Sequence, residues 1–501
     1  MGEQVEQLKK HLQRYHDLNA AAALLGWDQQ VNMPPGGAAA RGEQSATLSA
    51  LSHELFTAEE TARRLEAAEA EVAGMEFDAD DASLVRVLRR HYDRATKIPT
   101  ELVAERAKVT ALAFEAWRQA RAENNVALFE PHLERVIEVT RRIADALGYE
   151  EHPYDALLQN FEPGMRTSQV SRLFNDLKAG LTPLLQAITE RGKPIDDSFL
   201  GRHYDVGRQW DFTLVILRDM GYDFNRGRQD QAPHPFTTNF GRNDVRLTTR
   251  LISDRPQSAL FSSVHEGGHA LYEQGSPERF ERTALSGGAT MALHESQSRL
   301  WENMIGRSKP FWQHYFPILR AFFPEQLADV RLDDFYRAVN VVRPDFIRTE
   351  ADEVTYNLHI FIRFELEQAL LSGALTAREV PEAWNARYQD YLGITPRDDA
   401  EGCLQDVHWS SGLIGYFPTY ALGNLIAAQL YRRMKADLPG MEEGFARGEF
   451  LPPLQWLREH VHRHGSKFTA PELLARELGE EISAEPLLEY IRARYSEIYE
   501  L

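Results

Sequence analysis

Most of the chain repeats its apolar residues with a period near 3.6, which is typical of amphipathic helices. The first run places Leu8, Leu12 and Tyr15 on one face and charged residues on the opposite face. Similar runs predict further helices over residues 100–124, 169–188, 345–371 and 487–499. The breaks between the runs are short and rich in Pro and Gly. The pattern therefore predicts a mainly α-helical protein that forms a single domain over residues 1–501.

One segment departs from the helical background. Within residues 244–251, apolar Val245 and Leu247 alternate with polar Arg246 and Thr248. This period of two is typical of a β-strand. A loop rich in turn-forming residues precedes the segment, and a helix follows it. We therefore expect a small β-sheet beside that helix.

The helix after the strand carries the motif His-Glu-x-x-His. His265 and His269 lie four positions apart on one helical face, so both imidazoles can reach a single zinc ion. Glu266 lies beside that face, where a carboxylate can take a proton from a water activated by the metal. Two glycines inside a helix, Gly267 and Gly268, each cost about 1 kcal/mol relative to alanine. Their presence predicts the close approach of another backbone or of a substrate.

A catalytic zinc ion needs a third protein ligand and an open position for water. The best candidate is Glu295, which lies 26 residues after His269 and opens a second helical run behind a glycine-rich turn. His294 competes with it, and Glu302 is a weaker candidate. The spacing alone does not choose between Glu295 and His294.

Six short motifs occur in order along the second half of the chain. They are HPF (234–236), DVRLT (244–248), HEGGH (265–269), HESQSR (294–299), IRTEAD (347–352) and GCLQDVHW (402–409). This set resembles the motif series of the carboxypeptidase Taq family, the thermostable zinc carboxypeptidases also called carboxypeptidase 1.

The resemblance implies that His265, His269 and Glu295 hold the metal and that Glu266 is the catalytic base. It also implies a mainly α-helical, two-lobed zincin fold with a deep groove, similar to the neurolysin-like oligopeptidases. One zinc ion per chain, its replacement by cobalt, broad specificity and a homodimer are further expectations from the family.

An exopeptidase needs a fixed cation for the free carboxylate of its substrate, and a planar guanidinium suits this role because it can donate two parallel hydrogen bonds. Arg348 and Asp352 lie on a polar line of the predicted helix over residues 345–371. From the residues alone, the two form either a solvated ion pair or part of a site. The resemblance favours Arg348 as the carboxylate clamp with Asp352 orienting it. Arg246 is the second choice, and the resemblance alone places His234 near the site.

The transition state of amide hydrolysis carries negative charge on the former carbonyl oxygen, which a neutral donor can stabilise. The segment 405–420 offers two such donors, Tyr420 first and His408 second. Its Gly-Tyr-x-x-x-Tyr part is similar to a segment of the neurolysin-like enzymes. An aromatic core segment is the alternative interpretation of both residues.

These features predict a zinc-dependent metallocarboxypeptidase, a peptide hydrolase of the EC 3.4.17 type, that releases amino acids one at a time from the free C-terminus of peptides. A zincin oligopeptidase or endopeptidase is the nearest alternative and would lack the carboxylate anchor. A di-iron helical bundle is a remote one, because Glu266 and His269 also fit the Glu-x-x-His ligand pair of such proteins.

The net charge and the cysteine content indicate which partners and which cellular compartment this protein can have. The 56 Lys and Arg residues against 75 Asp and Glu residues give a net charge of −19, which disfavours nucleic acid and anionic membranes as partners. A single cysteine, Cys403, excludes an intramolecular disulfide and fits a reducing compartment. The N-terminal segment has charges every few residues and no apolar stretch of signal length. We therefore expect a cytoplasmic protein.

Overall fold

The computed structural model describes residues 2–501, and 67% of the chain is helical. The α-helices, in chain order, are α1 (Glu3–Val31), α2 (Ala38–Thr57), α3 (Glu59–Val72), α4 (Asp80–Lys97), α5 (Thr100–Glu123), α6 (Glu130–Leu147), α7 (Pro153–Leu158), α8 (Thr167–Arg191), α9 (Val206–Asp219), α10 (Pro256–Gly275), α11 (Met291–Arg299), α12 (Lys309–Phe322), α13 (Leu332–Ala338), α14 (Tyr356–Ser372), α15 (Val380–Leu392), α16 (Pro418–Asp437), α17 (Met441–Ala446), α18 (Leu451–His460), α19 (Ala470–Glu477) and α20 (Glu485–Tyr499). The strands are β1 (Gly227–Gln231), β2 (Thr237–Asn239) and β3 (Val245–Thr249). The predicted mainly α-helical fold is confirmed.

The chain divides into two compact units. The first contains residues 2–96, 196–339 and 430–481, and the second contains residues 97–195, 340–429 and 482–501. Among residues 2–501, no helix is both long and apolar enough to cross a membrane.

The first unit contains the three-stranded sheet, in the order β1-β3-β2. Strand β3 pairs in parallel with β1 and antiparallel with β2, and Thr238 lies opposite Arg246. The predicted strand is therefore present as β3, and it is the central strand of the sheet. Its inward residues Val245 and Leu247 are fully buried. Helix α10 packs against β3, α9 and α11, so the helix with the His-Glu-x-x-His motif lies in the middle of this unit.

The same unit contains an apolar cluster formed in part by its N-terminal helices. Leu8 and Leu12 of α1 are buried there with Phe56 of α2 and Leu88 of α4. Leu8 and Leu12 are positions that the helical period of the first run predicted, and Tyr15 of the same run packs against the cluster.

In the second unit, α14 lies at the centre and packs against α6, α7, α8 and α15. Phe174 of α8 contacts Phe361 and Phe364 of α14, with ring centroids 4.8 and 5.1 Å apart. Helix α14 is buried on both faces, so even its polar residues His359 and Arg363 are fully buried. Buried polar groups require hydrogen-bond partners, and this requirement shapes the polar network described below.

Candidate metal centre

Helix α10 begins with Pro256 at its first turn and presents His265 and His269 on one face, with ring centroids 5.0 Å apart. A Cβ on Gly268 would lie 2.7 Å from the backbone oxygen of Gln297, in α11. The missing side chain thus allows the two helices to touch backbone to backbone, which is the close approach that the paired glycines predicted.

The structure brings His265, His269 and Glu295 together. Nε2 of His265 lies 3.6 Å from Oε2 of Glu295, and Nε2 of His269 lies 3.5 Å from the same oxygen. All three ligand atoms lie within 4.8 Å of one another. Ligand bonds of 2.0–2.1 Å in a tetrahedron separate donor atoms by about 3.4 Å, so the donor set fits one zinc ion. Two imidazoles and one carboxylate also form a donor set typical of catalytic zinc sites.

His294, the competing ligand candidate, occupies a different position. Its Nδ1 lies 2.6 Å from Nδ1 of His269, and its Nε2 lies 2.7 Å from Oε1 of Glu273. Both ring nitrogens of His294 are therefore occupied by other side chains, whereas the carboxylate of Glu295 lies near Nε2 of both His265 and His269.

Glu302, the weaker candidate, lies behind His265. It belongs to a π-helical turn, Leu300–Ile305, that continues α11. Its Oε2 lies 2.9 Å from Nδ1 of His265, which is the ring nitrogen turned away from Glu295. Burial raises the pKa of Glu302, but the hydrogen bond from His265 and the charge of Arg299 outweigh it and hold the pKa at about 2. Glu302 thus supplies an ionised carboxylate that orients a ligand.

Arg299 stabilises the charge of the third ligand. Its Nε donates to Oε1 of Glu295 over 2.7 Å, and its Nη1 lies 3.4 Å from Oε2 of Glu302. Burial raises the pKa of Glu295, yet Arg299 and the two histidines hold it far below the usual range. The ligand oxygen on the other side of the carboxylate is therefore negatively charged and faces the imidazoles.

Strand β2 positions Glu266. The hydroxyl of Thr237 lies 2.7 Å from Oε2 of Glu266 and 2.9 Å from its backbone oxygen. Thr237 is held in turn because the hydroxyl of Thr248, on β3, lies 2.9 Å from the backbone nitrogen of Phe236. The strand that directly follows the HPF motif thus pairs with the strand of the DVRLT motif, and this pair holds the carboxylate of the HEGGH motif.

Arg246 and His234 lie in the same unit but do not join the cluster of ligand atoms. The guanidinium of Arg246 donates two hydrogen bonds of 2.8 Å to Asp244 and lies over the rings of Trp27 and Phe240, at 4.3 and 4.9 Å. His234 is exposed, and its Nδ1 lies 2.8 Å from the backbone oxygen of Pro235. Arg246 is therefore already paired with a carboxylate of its own strand segment.

In the second unit, Arg348 is buried, but it does not lie on the predicted α-helix. Residues 345–355 do not form an α-helix. Arg348 lies in a 3₁₀ turn, and α14 begins only at Tyr356. Nε and Nη2 of Arg348 donate to Oδ1 of Asp406 over 3.1 and 2.8 Å, and Nη1 donates to the hydroxyl of Tyr356 over 3.1 Å. Asp406, rather than Asp352, orients this guanidinium.

Asp352 has a local role instead. Its Oδ1 accepts from the backbone N–H groups of Val354 and Thr355, and its Oδ2 accepts from that of Arg343. Short side chains that bond to nearby backbone N–H groups compete with helix formation and favour a cap or turn. This competition explains why the helix predicted over residues 345–371 starts eleven residues late.

Asp406 lies between two arginines. Its Oδ2 accepts from Nε of Arg363 over 2.7 Å, while its Oδ1 faces Arg348. Gln405 connects the same pair, since its Oε1 accepts from the backbone N–H of Arg348 and from Nη2 of Arg363. Burial raises the pKa of Asp406, but the charges of the two guanidinium groups outweigh this effect and hold the pKa far below its usual value. The carboxylate is therefore ionised.

The two predicted neutral donors lie side by side in the second unit. Nε2 of His408 lies 3.2 Å from the hydroxyl of Tyr420. The ring of His408 also packs on Phe417, with centroids 4.4 Å apart, and the guanidinium carbon of Arg348 lies 4.9 Å from the ring centre of Tyr420. The segment thus places Tyr420 and His408 next to Arg348, with aromatic packing around them.

Three residues of these networks were missed from the sequence. Glu273 lies four residues after His269, so its place on the same helical face was a usable signal. Asp406 lies inside the GCLQDVHW motif beside the chosen His408. Thr237 gave no signal of its own, because its contact with Glu266 depends on the pairing of β2 with β3.

Comparison with known proteins identifies the class. The sequence matches the Carboxypeptidase Taq (M32) metallopeptidase family over residues 7–495. The chain therefore belongs to this family and is a metallocarboxypeptidase, a peptide hydrolase of the EC 3.4.17 type. The resemblance drawn from the six motifs is confirmed, and the di-iron alternative is wrong.

Individual relatives match over nearly their whole length. Carboxypeptidase 1 of Bacillus subtilis is 42% identical over 491 residues, which are 97% of each chain. Thermostable carboxypeptidase 1 of Thermus thermophilus is 44% identical over 492 residues, 96% of each chain. The crystal structure of an M32 carboxypeptidase from Deinococcus radiodurans covers 100% of both chains at 42% identity, with a TM-score of 0.97.

Proposed function

We propose that this protein is a zinc-dependent carboxypeptidase of broad specificity that releases amino acids one at a time from the free C-terminus of peptides, with Glu266 as the general base. The observation that carries the proposal is the meeting of His265, His269 and Glu295 around one point, directly beside Glu266. Family membership supplies the reaction class, and the donor set favours zinc over a hard cation such as Mg²⁺, which prefers oxygen ligands.

Zinc held by these three residues would act as a Lewis acid on a water molecule and on the carbonyl of the scissile bond. Glu266 takes a proton from the attacking water and returns it to the nitrogen of the leaving amine. The hydroxyl of Thr237 supports this role because it fixes one carboxylate oxygen and leaves the other for the proton. Glu302 and Arg299 hold His265 and Glu295 in their ligating orientation.

Arg348 is proposed to bind the terminal carboxylate of the peptide. A guanidinium has five N–H groups, and the contacts with Asp406 and Tyr356 use three of them. One N–H remains on each terminal nitrogen, which is the pair that a carboxylate binds through two parallel hydrogen bonds. Asp406 keeps the guanidinium in one orientation, so little side-chain entropy is lost on binding.

Tyr420 is proposed as the first donor to the developing oxyanion, with His408 as the second. A phenol O–H and an imidazole N–H are neutral donors that can stabilise this charge without adding a net charge to the site. The 3.2 Å contact between the two side chains keeps both oriented together.

We also propose one zinc ion per chain, replaceable by cobalt, and a cytoplasmic homodimer. The metal count follows from the single cluster of three ligand atoms among the described residues. The compartment is supported by the one cysteine, Cys403, which is buried and unpaired. Family membership is the support for the dimer.

Peptide digestion read by mass spectrometry tests the reaction. An unmodified peptide and its C-terminally amidated form are each incubated with the pure protein, with and without a chelator. We expect a ladder of single-residue losses from the unmodified peptide only, abolished by the chelator and restored by zinc. Internal fragments would indicate an oligopeptidase instead, and equal cleavage of both peptides would refute the carboxylate clamp.

A further inference from the structure

His294 connects a metal-ligand candidate to a buried carboxylate. Its Nδ1 lies 2.6 Å from Nδ1 of His269, and its Nε2 lies 2.7 Å from Oε1 of Glu273. Glu273 is only 8% exposed. The three side chains therefore form a continuous line of hydrogen bonds that starts at the metal centre and ends on an acceptor.

The direction of these hydrogen bonds follows from the chemistry of imidazole. A neutral imidazole carries one N–H and one lone pair. Because Nε2 of His269 faces Glu295, metal binding needs the lone pair on Nε2 and the hydrogen on Nδ1. That hydrogen must be accepted by Nδ1 of His294, whose own hydrogen is then on Nε2. Glu273 completes the line because an ionised carboxylate only accepts.

The turn beside the line leaves room for both side chains. A Cβ on Gly288 would lie 2.8 Å from Cδ2 of His294, and a Cβ on Gly287 would lie 3.0 Å from Oε2 of Glu273. Gly287 also has a φ of +83°, a conformation that other residues rarely adopt. Larger residues in this turn would push His294 and Glu273 away from His269.

The other histidine ligand is held by a simpler version of the same arrangement. Nδ1 of His265 lies 2.9 Å from Oε2 of Glu302, so a carboxylate receives its N–H directly. An outer acceptor of this kind fixes the tautomer and the ring orientation of a metal-bound histidine. Nδ1 of His269 instead contacts the imidazole of His294, which connects it to the carboxylate of Glu273.

We infer that His294, together with Glu273, is a positioning residue that fixes the tautomer and ring orientation of His269 for metal binding. The inference rests on the proposed metal site and extends it to residues that do not contact the ion. Loss of the line leaves His269 free to place its hydrogen on Nε2, where it blocks the lone pair that a metal needs.

The test is the dissociation constant for Zn²⁺, measured on the full-length protein by competition with a chromophoric chelator at one fixed pH. We expect His294→Leu to weaken zinc binding about 10- to 100-fold, the range usual for outer-shell partners. His294→Asn should recover part of this loss, because its side-chain amide can place an acceptor near the former Nδ1. Glu273→Gln should also weaken binding, since an amide can donate as well as accept and no longer fixes the direction.

Glu477→Gln is the matched control. Glu477 is likewise a largely buried carboxylate, with a side chain 9% exposed, and it lies 2.9 and 2.8 Å from two histidines, His460 and His464, but none of the three belongs to the metal cluster. We expect this variant to bind zinc as the unaltered protein does. Thermal unfolding of the metal-free proteins is measured in parallel, so that a loss of zinc affinity can be separated from a general loss of stability.

Zinc affinity equal to that of the unaltered protein in both His294→Leu and Glu273→Gln would overturn the inference. An equal loss in the Glu477→Gln control would overturn it too, because any damaged buried carboxylate would then weaken the site. If His294→Leu does not fold, Glu273→Gln decides, since it is nearly isosteric. Failure of the unaltered protein to bind zinc would instead refute the proposed function.

Discussion

The hydroxyl of Thr237 lies 2.7 Å from Oε2 of Glu266, so the residue proposed as general base is held by an edge strand and not by its own helix. A hydrogen bond to a charged group contributes about 1.5–3 kcal/mol. Replacing Thr237 by Val keeps the shape and removes the donor. We expect kcat to fall about tenfold or more with zinc affinity unchanged, and Thr237→Ser to restore most of the rate. Full activity in Thr237→Val would mean that Glu266 needs no such support.

Substitution of Glu266 separates metal binding from the chemical step most clearly. Glu266→Gln keeps the size of the side chain and its acceptor for Thr237 but cannot take a proton. General base catalysis contributes about 10²- to 10⁴-fold, so we expect a loss of kcat in that range or greater. Zinc content, measured by elemental analysis, should stay at the level of the unaltered protein. Retained turnover would exclude the proposed role.

A substitution at Gly268 tests whether the metal centre depends on the close contact between α10 and α11. In Gly268→Ala, the new Cβ would lie 2.7 Å from the backbone of Gln297, which cannot move aside as a side chain can. We expect a loss of about 1–3 kcal/mol in unfolding free energy, together with weaker zinc binding.

Gly26→Ala is the control for that variant. Gly26 lies inside helix α1, and nothing lies within 4 Å of a Cβ placed there. This substitution should stabilise the protein by about 0.5–1 kcal/mol. An equal and small effect of both substitutions would show that the helix contact tolerates a methyl group.

Some of this centre could be predicted from the sequence and some could not. The pairing of His265 with His269 follows from helical geometry alone. The paired glycines predicted that another segment packs closely against the helix, but they did not show that this segment is α11. The choice of Glu295 over His294 needed the family resemblance. Adjacent residues on a helix point about 100° apart, and which of them faces α10 is set by the backbone contact at Gly268.

In the second unit, the sequence pattern failed to predict the partner of Arg348. The i+4 spacing of Arg348 and Asp352 predicted one helix with an ion pair, but Asp352 accepts hydrogen bonds from the backbone ahead of α14, so the helix begins only at Tyr356. The partner of Arg348 is Asp406, which is 58 residues away in sequence. Local patterns cannot reveal such a contact, because it depends on how α14 and the GCLQDVHW segment pack together.

Glu367 predicts a pH dependence of stability in the second unit. Burial raises its pKa to about 7, although Tyr154, Trp409 and Gly415 all donate hydrogen bonds to its carboxylate. Between its ordinary pKa of 4.5 and this value, the folded state binds the proton more tightly than the unfolded state. Stability therefore falls as the pH rises through this range, by about 3 kcal/mol for this one group.

Urea unfolding at pH 5 and pH 8 measures this contribution. We expect Glu367→Gln to remove most of the difference in unfolding free energy that this group causes, because the amide stays neutral at both values. Glu365→Gln is a suitable control, since Glu365 lies on the same helix, is half-buried and is paired with Lys178. An unchanged pH dependence in Glu367→Gln would show that the carboxyl group titrates normally.

Arg348 decides between an exopeptidase and an endopeptidase on the same scaffold. Two hydrogen bonds to a carboxylate are together worth about 3 kcal/mol, so Arg348→Ala should lower kcat/KM for peptides with a free C-terminus about a hundredfold. Arg348→Lys should recover little, because an ammonium group offers a point charge and not a planar pair of donors. The loss should be absent for amidated peptides, which we expect the unaltered protein to cleave poorly.

Arg397→Ala provides the control for that comparison. The side chain of Arg397 is 73% exposed and pairs with Glu401 at the surface, so its removal should leave the cleavage of both substrates unaffected. Because Arg348→Ala also leaves Asp406 with one arginine fewer, its thermal stability must be compared with that of Arg348→Lys, which keeps the charge. A loss of activity that is equal for free and amidated peptides would assign Arg348 to the stability of the buried network around Asp406. A loss confined to the free C-terminus would assign it to the recognition of the substrate carboxylate.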